Sequence, residues 1–147
     1  MIVVTLIILG SLAAGALVFR NGVVVVRVDG GSMTPTYRHG ERVLAIRRWA
    51  LPRVRRGDIV VLWSPDPSAL RPGAPQYIIK RVAALAGDLR PGGRADETIS
   101  PQHIFVLGDA DSSRDSRSFG PLPRHMLVGR VVWRMPGNGR AQPAAGE

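Results

Sequence analysis

The 147-residue sequence predicts an all-β domain behind a hydrophobic N-terminal segment. Three observations lead there. Six short runs rich in β-branched and aromatic residues alternate with turns built on Gly, Pro and Asp. Beyond the N-terminus, no stretch has the length or the 3.6-residue period of a long soluble helix. The first nineteen residues carry no charged side chain.

That opening segment supplies about 18 apolar residues, which as a helix span roughly 27 Å, close to the hydrocarbon thickness of a bilayer. A cleaved targeting peptide would want a basic start and a small-residue site. Ala14-Gly15-Ala16 offers small residues, but no basic side chain precedes it, and the apolar run continues to Phe19. A retained anchor over residues 1–20 is expected. A β-rich domain follows over residues 21–135, with a disordered tail over 136–147.

Within the domain, residues 23–28 form a β-branched run that ends at the turn Asp29-Gly30-Gly31. Residues 43–46 make a second strand and the basic stretch 47–56, broken by Pro52, an exposed loop. Residues 58–63 make a third strand; residues 64–76 hold four prolines and are a loop. Residues 77–82, 104–107 and 127–133 supply three more strands. Short strands at this spacing predict a sandwich or a partial barrel.

Composition excludes several functions. The net charge of +9 invites nucleic acid, but the arginines are scattered and the aromatics are few. Behind an anchor, an anionic lipid surface is the simpler partner. Absence of cysteine rules out disulfides, thiolate metal sites and cysteine nucleophiles. His39, His103 and His125 lack ligand spacing, so neither a metal nor another cofactor is expected.

Lys80 is the only lysine, against nineteen arginines. Arginine replaces lysine for surface charge but cannot present a neutral nitrogen, whereas a desolvated lysine can. Lys80 lies in the apolar run Tyr77-Ile78-Ile79-Lys80, where alternation puts it on one face with Ile78. Ser32 is the nucleophile candidate, because Gly30 and Gly31 allow a sharp turn that lifts its hydroxyl and frees backbone N–H groups for an oxyanion.

The blocks Gly31-Ser32-Met33-Thr34-Pro35-Thr36, Arg56-Gly57-Asp58-Ile59-Val60-Val61, Ile79-Lys80-Arg81-Val82 with Gly87-Asp88, and Gly108-Asp109 with Asp115-Ser116-Arg117 resemble the bacterial type I signal peptidases, in that family's order. The resemblance implies a signal-peptidase-type β catalytic domain behind one transmembrane helix. It also implies a serine–lysine dyad endopeptidase that removes signal peptides after small residues at −1 and −3. Ser32 would attack, Lys80 would serve as base, and Ser32, Gly30 and Gly31 would form the oxyanion turn.

Ser113 would hold the lysine amine, and Asp115 with Arg117 would brace that loop. Val26, Val28, Met33, Ile78 and Ile79 match positions that line the family's shallow pockets. This chain has Gly30 where some members carry a serine, and Ala110 where Asn is usual. One residue fewer between Asp109 and Asp115 leaves Ser112 able to take the role of Ser113. The short connection from Asp88 to Phe105 implies that the accessory β-domain is absent.

By the same resemblance the enzyme is a monomer in the cell (plasma) membrane, single-pass, with its catalytic domain on the outer face. Arg20 and Arg27, counted alone, favour the opposite orientation. Two alternatives stand beside a general signal peptidase. One is a maturation peptidase dedicated to a single precursor; the other is a non-enzymatic basic β-domain that binds lipid or a partner.

Overall fold

β-branched side chains favour the pleated, half-buried backbone, and the six expected runs all become strands. The computed structural model describes residues 5, 10, 21–50, 53–66, 73 and 76–136. The expected anchor and tail lie outside these, apart from Thr5, Gly10 and Pro136. The strands are β1 (Val23–Arg27), β2 (Arg42–Arg47), β3 (Ile59–Trp63), β4 (Tyr77–Leu85), β5 (His103–Leu107), β6 (Leu122–Pro123) and β7 (Leu127–Met135).

They form one antiparallel sheet in the order β1-β2-β7-β3-β4-β5-β6. The register slips between Leu44 and Ala45, between Val61 and Leu62, and between Val82 and Ala84. Such irregularities bend strands and increase twist, and the sheet curls into a half-barrel. Of the two expected architectures, the chain adopts the partial barrel.

β3 and β4 are buried on both faces. Val61 and Ile79 join Val26, Val28, Met33, Tyr37, Val43 and Ala45 on one side. Val60, Leu62 and Val82 join Val54, Ile104, Val106, Leu122 and Leu127 on the other. Alternation therefore puts Lys80, which pairs with Val60, on the second face, as it does Val82.

Several elements differ from expectation. β4 continues to Leu85, because Ala83-Ala84-Leu85 extends the pattern and Ala84 pairs with Phe105. The stretch 47–56 is not wholly exposed: Arg48–Ala50 is a 3-10 turn and Val54 is buried in the second core. A four-residue helix, α1 (Ser116–Phe119), a 3-10 turn at Arg124–Met126 and β6 were not legible as separate elements. Between β4 and β5 the chain doubles back at the isolated bridge Leu89↔Thr98, flanked by backbone bonds from Gly87 N–H to Ile99 O, Ile99 N–H to Asp88 O and Arg90 N–H to Glu97 O.

Candidate active site

Residues 28–41 leave β1 as a loop closed at its base, where Val28 N–H donates to the Glu41 carbonyl and Gly40 N–H to that of Val28. Gly30 has φ +80°, a backbone that a side chain would strain. Its N–H donates to His39 Nδ1 at 3.0 Å, and the same nitrogen stands 3.1 Å from Asp29 Oδ1. His39, exposed at the surface, thus also fastens the turn.

Thr34 N–H to Gly31 O and Tyr37 N–H to Met33 O tighten the following residues. Met33 is the pin, only 1% exposed in the first core. Ser32 is left half-buried beside it. Its carbonyl accepts from Ala110 N–H at 3.1 Å, while its N–H and its hydroxyl have no hydrogen-bond partner among the described residues.

Lys80 is 3% exposed. Its Nζ donates to Ser113 Oγ at 2.8 Å, so of the two adjacent serines Ser113 touches the amine and Ser112 is exposed. Burial pushes the amine down from 10.5 to about 8; Asp115 and Asp109 oppose that shift and Arg117 adds to it.

Asp115 is fully buried and caps α1. One oxygen accepts from Arg117 N–H and Nε, the other from Gly108 N–H and Arg117 NH2. Burial alone would raise this carboxyl, but the Arg117 guanidinium and the two N–H donors outweigh it and hold it at about 2. This is no ordinary surface pair. Next to it Ser116, also buried, accepts from Val106 N–H at 3.0 Å, which ties α1 to β5.

One arrangement was missed by sequence reasoning. Arg81 grips Asp109 with two bonds, Nε to Oδ1 at 2.8 Å and NH2 to Oδ2 at 2.7 Å, and also reaches Gly57 O and Thr36 Oγ1. The Arg81 hydrogen bond holds the Asp109 carboxyl below its usual range. The pair joins β4, the loop after β5 and the Ser32 loop. The signal available was an arginine directly after Lys80 and an acid directly after Gly108.

Gly108 stands where three parts meet. A Cβ built there would lie 2.5 Å from the Ser32 carbonyl oxygen and closer still to Ser113 Oγ. Only glycine lets both serines approach.

Two small cavities open here. The larger, about 170 Å³, is lined by Ser32, Lys80, Ile78 and Phe119, with Asp66 and Arg114 among the polar groups of its wall. The smaller, about 60 Å³, has Ser32, Val28, Met33, Ile78 and Ile79 in its wall, and Asp29 borders both. Val26, expected as a pocket residue, is in the core and lines neither. Gly31 lies exposed in the turn. A nucleophile candidate and a buried amine thus share one cleft, without a direct hydrogen bond between them.

Comparison with known proteins adds an independent line. The family model described as signal peptidase, peptidase S26, matches residues 1–89 and 91–135. Mitochondrial ATP-independent inner membrane protease subunit 1b of Arabidopsis thaliana is 40% identical over 119 residues, covering 72% of this chain and 66% of that protein. Human mitochondrial inner membrane protease subunit 1 is 32% identical over 138 residues, 86% of this chain and 76% of the human one. Thylakoidal processing peptidase 1 of Arabidopsis thaliana is 32% identical over 135 residues, 70% of this chain and 39% of its own length.

Proposed function

The chain belongs to the signal peptidase family, peptidase S26, and on that premise we propose that it is a serine endopeptidase that removes N-terminal signal peptides by a Ser32–Lys80 dyad. The observation that carries the reading is Lys80 itself: buried, brought to about 8, and sharing a cavity with Ser32. Ser32 Oγ attacks the scissile carbonyl, and neutral Lys80 takes its proton and returns it to the leaving amine. Catalytic hydrogen bonds often close only when substrate arrives, so the unbonded Ser32 hydroxyl is compatible with this role.

The Ser32 N–H, without a hydrogen-bond partner among the described residues and in a turn opened by Gly30 and Gly31, serves the oxyanion. Ser113 holds the amine, and Asp115 with Arg117 holds the Ser113 loop. Val28, Met33, Ile78 and Ile79 form the wall that admits small side chains, and the small cavity volume supports that selectivity.

The enzyme is single-pass, anchored by residues 1–20 in the cell membrane, with the catalytic domain on the outer face and acting as a monomer. The uncharged opening nineteen residues support the anchor, and the names of the mitochondrial relatives place those proteins in a membrane. One chain per particle in detergent, measured by light scattering, tests the monomer.

A dedicated maturation peptidase is the second reading. Asp29, Asp66 and Arg114 in the cavity walls favour it, since small apolar side chains need no charged partner. A panel of unrelated precursors separates the two. The dyad is tested with Ser32→Ala and Lys80→Arg on a precursor with Ala at −1 and −3. Both lose cleavage while circular dichroism stays native; full activity in either overturns the dyad, and a silent Lys80→Arg is the outcome a non-enzymatic domain requires.

A further inference from the structure

A third cavity, about 230 Å³, lies beside the smaller of the two already described, with Tyr77 in the wall of both. Its remaining wall includes Arg47, Arg48, His125, Trp49 and Trp63, and among the described residues no acidic one lines it. Both arginines are exposed, and neither makes an ion pair among the described residues. Trp49 is 61% exposed and Trp63 43%, while Trp63 packs on Tyr77 with ring centroids 4.5 Å apart.

Exposed indoles cost solvation in water but suit the membrane interface, where an amphipathic ring sits at headgroup level. Uncompensated guanidiniums beside them supply bidentate donors for a phosphodiester. The place of this cavity in the chain names its occupant. Gly22, three residues past the end of the uncharged opening segment at Phe19, lies against Trp49: a Cβ on it would stand 3.7 Å from the indole. The cavity is therefore beside the point where the chain leaves its expected membrane anchor.

We propose that Arg47, Arg48, Trp49, Trp63, Tyr77 and His125 form a binding site for the phosphate headgroup of an anionic phospholipid. The arginines hold the phosphodiester and the indoles lie along the glycerol and upper acyl region. Through Tyr77 the bound lipid borders the wall of the small cavity that holds Ser32 and Met33, which sets that cleft next to the bilayer surface. The site deepens the membrane reading above but does not depend on the dyad.

The test uses the full chain carrying Ser32→Ala in zwitterionic detergent, so that proteolysis plays no part. Intrinsic fluorescence is read, since two of the three tryptophans line the site. Titration with short-chain phosphatidylglycerol gives a saturable change, and short-chain phosphatidylcholine or inorganic phosphate at equal concentration gives none. Arg47→Gln with Arg48→Gln weakens binding about fivefold per arginine, roughly thirtyfold together. The corresponding double lysine variant recovers most of it, which separates lost charge from lost fold. An equal response to phosphatidylcholine or to phosphate alone, or unaltered affinity in the double glutamine variant, overturns the proposal.

Discussion

Lys80 Nζ donates to Ser113 Oγ at 2.8 Å, and the Ser113 hydroxyl points its own proton toward the Arg114 carbonyl at 3.5 Å. The serine therefore receives from the amine and leaves the lysine lone pair free to face elsewhere in the cleft. Ser113→Ala is expected to lower kcat about 10- to 100-fold with little change in KM, because in the proposed dyad this hydrogen bond orients the base and does not bind substrate. Ser112→Ala serves as the neighbouring control and keeps wild-type rates. Steady-state kinetics on one precursor peptide decides between them.

Under the proposed dyad, the pH dependence of cleavage is expected to follow the amine. With Lys80 at about 8, kcat/KM rises tenfold per pH unit below that value and levels off above it. The Arg117 charge helps to hold the amine down, so Arg117→Gln moves the rising limb to higher pH. A limb that stays in place, or moves down, contradicts the electrostatic account.

Lys80 carries a stability cost that its removal exposes. Its folded value lies below its unfolded 10.5, so the unfolded chain binds the proton more tightly and the full penalty applies below about pH 8. The penalty shrinks as pH rises from about 8 toward 10.5 and is gone above that. At ~1.4 kcal/mol per pH unit this is roughly 3 kcal/mol, less about 1 for the hydrogen bond lost with the amine. Lys80→Met is thus expected to be inactive yet about 2 kcal/mol more stable at pH 7, with the advantage fading at alkaline pH. Denaturant titrations at several pH values measure it.

Breaking the Arg81–Asp109 pair should act mainly on the scaffold. Asp109→Ala leaves a half-buried guanidinium without its two-bond partner and costs about 1.5–3 kcal/mol. Arg81→Lys keeps charge but loses the planar fork, and recovers only part of that. Chemical denaturation gives the size, and no effect in either variant would remove the pair from the architecture of the site.

Much of the candidate site was legible because the chemistry proposed for it depends on residue type. A solitary lysine within Tyr77-Ile78-Ile79-Lys80, and a serine after two glycines, can be seen without coordinates. The strands were legible because β-branched runs are. Asp115 was harder: in sequence it is one acid among several near arginines, and its full burial depends on Gly108, Val106 and α1 closing around it. Arg81 and Asp109 are 28 positions apart, and nothing local announces a bond between them. The resemblance put Val26 in the pocket wall, whereas it packs in the first core and borders neither cavity, a matter of packing that a matching position does not reveal.

The burial of Lys80 also bears on when the chain can become reactive. At its unfolded value of 10.5, about one amine in 3,000 is neutral at pH 7; at about 8, roughly one in ten is. Folding multiplies the basic form about 300-fold, and the burial that does so needs β3, β4, β5 and the Ser113 loop together. In a nascent or partly opened chain the same lysine stays charged, so under the proposed dyad completion of the sheet is what supplies the base.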